Sequence, residues 1–556
     1  MPDLAVGFSG IAVSPGTGAG PVHRLAPPPA LPAPPGPPVA DLAAEAARAA
    51  AALDQVATDL EQRAGGATAT AAEVLLAQAL IARDPVLAES VAGRVLDGEG
   101  APWAVDAALR EQQAVFRDLG GYLGERAADL DDIRARAVAL LLGLAMPGVP
   151  SPGVPFVLVA DDLAPADTAQ LDRSSVRALV TARGGPTSHT AILARALGIP
   201  AVVCCTGVLD LADGTLVVVD GTTGDVRQIG ADEAERLQEE ADAARLTAAA
   251  VTGPGRTFDG HPVKLLRNVG SVDDLGDVAG DDGFEGVGLF RSEFLYLGRT
   301  TAPTPDEQEQ AYLALFEACR GAKVVLRTLD AGADKPLPFL ELAAEDNPAL
   351  GVRGLRTSRR RPEVLADQLG AVARAARATG ADVWVMAPMV STVGEARSFA
   401  DQVHALGLPR AGAMVEVPAA ALQARRLLEV VDFLSIGTND LSQYALAADR
   451  MNGDLADLLD PWQPALLQLL AMCAAAGRDA GKSVSVCGEA AADPLLAPVL
   501  VGMGITSLSM SGASVPAVRA AMASRTREDC EGLARLALDA VDARSARAGV
   551  AERCRS

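Results

Sequence analysis

Lysine is nearly missing from this chain of 556 residues: Lys264, Lys323, Lys335 and Lys482 stand against forty-four arginines. Aromatic residues make up only 3%, histidines number four, and acidic side chains outnumber basic ones to give a formal net charge of -23. Nucleic acid demands a cationic surface and stacking rings, so this composition argues against it and favours a neutral or basic protein partner. The seven cysteines form an odd count with no C-x-x-C spacing. Neither a disulfide framework nor a zinc cluster is therefore expected, and reduced thiols fit the cytoplasm. Long apolar runs are missing too. The most apolar segment, from Val138 to Val159, is interrupted by four prolines and three glycines, so no membrane-spanning helix is expected. Asp3 stands where an export signal would carry basic charge, which again points to a cytoplasmic chain.

The length implies two or three domains. Short apolar runs with turn residues occupy the first 25 positions, and a proline-rich connector follows from Ala26. From 40 to 145 the pattern is helical: Leu42, Ala46, Ala49, Leu53, Val56 and Leu60 recur at three- and four-residue steps, and Val74, Leu75, Ala79 and Ile81 begin a second face. This reads as a helical bundle with an acidic exterior. It is inserted into an α/β unit formed by residues 1–25 and 146–230, with strand-like runs at 156–160, 176–181, 201–205 and 216–220. A charged helix from Ala231 makes a linker over 231–257. Over 258–545, eight short apolar runs begin at 263, 286, 323, 383, 413, 433, 483 and 505, most of them separated by helical patterns. That is the expectation for a (β/α)8 barrel.

Two places carry chemistry. In R-G-G-P-T-S-H-T-A-I-L-A-R-A-L-G-I-P, glycines and a proline precede Thr187 and Ser188, either of which can cap a helix, and Gly198 ends it. His189 thus opens a helix, where free N–H groups and the positive dipole end favour an anion. It suits a phosphorylated histidine, although a capping or surface histidine fits the same stretch. The second place is the ring of strand ends: Arg291, Arg327, Glu416, Asn439 with Asp440, and Cys487 with Glu489. Arginine forks match phosphate and carboxylate oxygens, and Arg353, Arg356 and Lys335 can join them at the same mouth. Glu416 and Asp440 are too few carboxylates for calcium and suit magnesium, which borrows oxygens from a phosphorylated substrate. Cys487 reads either as core or as a proton donor to the substrate.

The motifs G-G-P-T-S-H-T-A-I-L-A-R, G-V-G-L-F-R-S-E-F-L, L-R-T-L-D-A-G-A-D-K-P, N-P-A-L-G-V-R-G-L-R, M-V-E-V-P-A-A, D-F-L-S-I-G-T-N-D-L-S-Q-Y and V-C-G-E-A-A-A-D follow one another along the chain. In that order they resemble Enzyme I of the bacterial sugar phosphotransferase system, the phosphoenolpyruvate-protein phosphotransferases. The resemblance implies that His189 takes phosphate from phosphoenolpyruvate and passes it to the phosphocarrier protein HPr. It implies that Arg291, Arg327, Arg353, Lys335, Asn439 and Arg450 bind substrate, that Glu416 and Asp440 hold magnesium, and that Cys487 acts as acid. Thr168 matches a residue that hydrogen-bonds the histidine. The segment 40–145 matches the HPr-docking domain, and the barrel matches the part that forms the homodimer. Pro186, Ala333 and Val417 depart from the family's motifs and remove no reacting group. Pyruvate phosphate dikinase and phosphoenolpyruvate synthase share the histidine segment and the barrel, but they require an ATP-binding domain for which residues 1–150 offer no glycine loop. A barrel lyase would leave His189 without a role.

Overall fold

The computed structural model describes residues 7–555 apart from 27–28, 33–38, 66–68, 120–126, 145, 164–166, 168–170, 186–187, 276–277, 279–282, 297–298, 300, 320, 333–336, 344 and 451. Thr168, Pro186, Ala333 and Lys335 therefore lie outside the described residues. The chain divides into two compact units, Met1–Ala241 and Asp242–Ser556.

The first unit is built on an eight-stranded sheet: β1 Gly7–Ser9, β2 Ile11–Ser14, β3 Thr17–Arg24, β4 Phe156–Ala160, β5 Val176–Thr181, β6 Ala201–Val203, β7 Leu216–Asp220 and β8 Asp225–Gln228. Their spatial order is β1-β8-β7-β3-β4-β5-β6-β2. All five residues of β4 are buried, because Phe156, Leu158 and Ala160 feed one core while Val157 and Val159 feed the other. A strand covered on both faces reads as a continuous apolar run, which is why F-V-L-V-A was legible. Two details differ from the sequence expectation. β8 carries a single buried apolar residue, Val226, and gave no signal. The run at 201–205 stops at Val203 because Cys204 turns into the left-handed region at φ 53°.

Between β3 and β4 the described residues form five helices: α1 Leu42–Ala64, α2 Ala69–Ala82, α3 Pro85–Leu96, α4 Ala101–Leu119 and α5 Ala127–Leu141. Asp41 starts α1 by accepting from the Ala44 N–H at 3.0 Å. Leu53, Val56, Leu60, Leu75, Leu87 and Leu109 meet in one core, each full burial being worth roughly 1.5–3 kcal/mol. On α5 the wholly buried Arg136 bonds both Asp132 and Asp167 at 3.0 Å, which ties the helices to the chain just after β4. Helix α6, His189–Leu197, lies between β5 and β6, and α7, Ala231–Ala250, follows the β7–β8 hairpin. The start of α7 packs on β3 and β7 through Ala234.

The second unit closes eight parallel strands into a barrel: β9 Lys264–Val269, β10 Gly286–Arg291, β11 Lys323–Arg327, β12 Val383–Ala387, β13 Ala411–Val415, β14 Phe433–Gly437, β15 Ser483–Cys487 and β16 Ser507–Met510. Closure comes from β16 on β9, with Leu508 opposite Leu265. Leu289, Val325, Met386, Met414, Phe433 and Cys487 fill the interior, while alternate side chains pack outward on the surrounding helices. β13 begins at Ala411 and ends at Val415, two residues earlier than its apolar run suggested, because Pro418 opens a helix almost at once. The last helix, Ala543–Arg555, runs past the expected end of the barrel domain at 545.

Candidate active site

His189 is the first residue of α6. Ser188 is the N-cap and accepts from the Ala191 N–H at 3.2 Å, and Gly198 ends the helix at φ 65°. Around this start, Gly184 at φ 101° runs close beside Ser188 and Asp162, and the Cys204 thiol donates to the Gly184 carbonyl at 2.8 Å. Thr190 leans towards Asp162 at 3.4 Å. The turn that presents His189 is thus braced from β5, from the residue after β6 and from the β4 end.

The strand ends of the barrel converge as the motifs suggested. Arg291, Arg327 and Cys487 are the last residues of β10, β11 and β15, and Glu416 directly follows β13. The burial was not foreseen. Arg291 and Asn439 are exposed, whereas Arg327, Arg353, Glu416, Asp440 and Cys487 are buried, Arg353 to 1% exposure. Burial forces each charge to find partners. Arg327 Nη2 donates to Glu293 Oε1 at 2.5 Å, and its Nη1 lies 3.1 Å from Asp330 and 3.5 Å from Glu416. Arg353 reaches Asp330 at 3.3 Å and Asp440 at 3.1 Å, and Asp440 is also 3.4 Å from Arg450. The arginines and carboxylates therefore alternate in one continuous network. Arg356 stays outside it and braces its own loop through the Gly351 carbonyl and Ser391.

Burial, together with repulsion from Asp330 and Asp440, pushes the Glu416 carboxyl up to about 8 in spite of Arg327. Met389 N–H holds one of its oxygens at 2.8 Å, and Gly437 makes room for it: a Cβ there would stand 2.8 Å from Glu416 Cγ. Such crowded negative charge is relieved by a cation. Among the described residues no group of three His, Cys, Asp or Glu side chains forms a complete metal cage. Two carboxylates with room for substrate oxygens are what magnesium uses, so the donor set fits it. Arg327 Nε, Glu293 Oε2 and Thr438 Oγ1 are buried with no hydrogen-bond partner among the described residues. Polar atoms of this kind mark where a ligand would add bonds. Burial raises the Cys487 thiol, which accepts from Ser435 at 3.4 Å and donates to the Ile436 carbonyl at 3.4 Å. It is held as the protonated thiol.

Glu293 and Asp330 were missed as site residues. Both stood inside quoted motifs, two positions after Arg291 and three after Arg327. The available signal was the rule that a buried arginine brings a carboxylate with it.

Three family models cover the chain in order: PEP-utilising enzyme, N-terminal, at residues 9–126; PEP-utilising enzyme, mobile domain, at 153–224; and PEP-utilising enzyme, PEP-binding domain, at 244–527. The phosphoenolpyruvate-protein phosphotransferase of Streptomyces coelicolor is 50% identical over 97% of this chain and 97% of its own. That of Haloferax volcanii is 42% identical over 96% of this chain and 97% of its own. A solution structure of an Enzyme I protein, 29% identical, covers 42% of this chain and 98% of that one with a TM-score of 0.36. Matched over 97% and 96% of its length by the Streptomyces coelicolor and Haloferax volcanii enzymes and by all three domain models, the chain belongs to the phosphoenolpyruvate-protein phosphotransferases, a family of PEP-utilising phosphotransferase enzymes.

Proposed function

We propose that phosphoenolpyruvate binds at the C-terminal mouth of the barrel, that its phosphoryl group passes to His189, and that HPr receives it as the first step of sugar uptake. The observation that carries this reading is the alternating network of Arg327, Asp330, Arg353 and Asp440. It holds two guanidinium groups rigidly beside unsatisfied donors, a preorganised seat for a dianion. Arg291 ends β10, Asn439 precedes Asp440 and Arg450 pairs with Asp440; with Lys335 they would bind the substrate. Glu416 and Asp440 would hold magnesium, which neutralises phosphoryl charge when bound.

Transfer breaks the bond between phosphorus and the enol oxygen and forms one to a His189 ring nitrogen. The enolpyruvate released must gain a proton at its methylene carbon. The protonated Cys487 thiol supplies it, and the thiolate recovers its proton from water. Thr168 would orient the acceptor ring. In-line transfer requires the acceptor to be delivered to the mouth, a task for the 231–257 connector. Residues 1–25 and 146–230 then act as the phosphohistidine domain, and 258–545 as the phosphoenolpyruvate-binding and homodimer-forming domain.

The helices within 40–145 would dock HPr. Their acidic surface suits a basic rim on the carrier, and Leu76 and Leu80, one turn apart on α2, are 46% and 74% exposed. No described helix is long and apolar enough to cross a membrane. Incubation with labelled phosphoenolpyruvate and magnesium should mark His189 alone through an acid-labile, base-stable bond. Label on His23, His261 or His404, or full labelling of His189→Ala, would overturn the assignment.

A further inference from the structure

At the opposite end of the barrel from Arg327, Glu416 and Cys487 lies a cavity of about 340 Å³. Lys264, Lys323, Ser483 and Ser507, the first residues of β9, β11, β15 and β16, line it together with Arg478 and Lys482. Three of the chain's four lysines thus meet in one place, on a protein whose formal net charge is -23. Scattered surface lysines would not converge in this way.

The cations are unevenly satisfied. Lys264, 61% exposed, pairs with Glu285 at 3.0 Å, but that carboxylate also accepts from Gly255 and Leu265 N–H groups. Lys482 gives two of its protons to the Leu428 and Val431 carbonyls at 2.6 and 2.8 Å. Among the described residues Lys323 meets no oxygen within hydrogen-bond reach; its Nζ rests 3.6 Å from the centre of the Trp384 ring. Burial holds its ammonium down to about 8, with Asp382 offsetting part of the cost. A second, independent observation points the same way. Ser507 is 2% exposed, and its hydroxyl has no hydrogen-bond partner among the described residues.

We infer that this mouth binds a small phosphorylated anion, a phosphomonoester or free phosphate, seated on Lys323 and the Ser507 hydroxyl with Lys264 and Arg478 at its rim. The cavity is at the small end of ligand-sized sites, enough for a phosphoryl group with a short organic tail. Separate ammonium groups and a hydroxyl approaching from different strands can each meet a different oxygen of a tetrahedral phosphate, whereas a carboxylate offers only two oxygens in one plane. The site shares no residue with the proposed phosphoenolpyruvate mouth and does not depend on that reading.

The test uses the full chain labelled with 5-fluorotryptophan, in which Trp103, Trp384 and Trp462 give one fluorine resonance each and Trp384→Phe assigns the reporter. Inorganic phosphate, glycerol 3-phosphate and malonate are titrated separately. The Trp384 resonance should shift saturably with the two phosphates, and the tighter of them identifies the source; malonate should bind at least about tenfold more weakly. Lys323→Met should weaken phosphate binding about tenfold or more, as expected for a lost charged hydrogen bond, and Ser507→Ala and the exposed Lys264→Gln severalfold. Circular dichroism and thermal melts check that each variant has folded. A Trp384 resonance unmoved at tens of millimolar phosphate, malonate binding as tightly as phosphate, or unchanged affinity in the folded variants overturns the proposal.

Discussion

Arg353 donates to Asp440 Oδ1 at 3.1 Å across 87 residues of sequence, joining the loop after β11 to the helix after β14. The pair is buried, and Asp330 flanks the same guanidinium at 3.3 Å. Both carboxylates rely on that one cation for part of their compensation. Arg353→Met should therefore destabilise the barrel by about 3–5 kcal/mol, the cost of stranding buried charge. Arg353→Lys should recover part of the stability but little of the phosphoenolpyruvate-dependent labelling, because an ammonium cannot bridge two carboxylates in a fixed plane. Thermal melts alongside labelling rates check this; equal stability of Arg353→Met and wild type would contradict it.

Glu416 predicts a pH signature. Its carboxyl titrates near 8 in the folded protein against an ordinary 4.5, because burial and neighbouring carboxylates disfavour its charge. The folded state thus holds this proton more tightly than the unfolded one. The group's contribution to stability is complete below 4.5 and is lost as pH rises through about 8. A divalent cation replaces the proton, so magnesium affinity should climb by up to about tenfold per pH unit below 8 and level off above it. Magnesium should raise the melting temperature more at pH 9 than at pH 6, and Glu416→Gln should abolish that difference.

Gly437 offers a substitution that acts on the proposed metal site with little effect on the fold. Its φ of -89° is open to any residue, yet a Cβ would stand 2.8 Å from Glu416 Cγ and 3.0 Å from Oε1. Gly437→Ala should displace the carboxylate, raising the half-saturating magnesium concentration roughly 10- to 100-fold. Metal dependence of labelling measures it. An unchanged magnesium requirement would mean that Glu416 is not a ligand.

Cys487 separates carbon chemistry from phosphoryl chemistry. Cys487→Ser should bind phosphoenolpyruvate and magnesium nearly as wild type but form pyruvate at least about a hundredfold more slowly, in the range of lost acid catalysis. Phosphate exchange between His189 and phosphorylated HPr should be untouched, since no carbon is protonated in it. Wild-type pyruvate formation would reduce the thiol to packing.

Much of this was legible in the residues themselves. The cap at Ser188, the stop at Gly198 and the eight barrel strands are local events, written in turn residues and apolar runs that neighbouring positions settle among themselves. The strand β8, with only Val226 buried, was invisible because it is held by pairing with β7 and β1 rather than by its own side chains. The motifs likewise placed Arg327, Glu416, Asp440 and Cys487 together at the strand ends. What the linear order could not convey was which of these charges would be buried and beside which partners. Asp330, for example, serves both Arg327 and Arg353 only because the loop after β11 folds back over the strand end. Likewise, Lys264 and Lys482 sit more than two hundred residues apart and line one cavity only because β16 pairs with β9 and closes the ring. Local spacing determines elements, since backbone geometry and capping extend over a few residues. Partnership among buried charges is decided by barrel closure, because only that closure removes water and leaves each charge the neighbours that the strand register supplies.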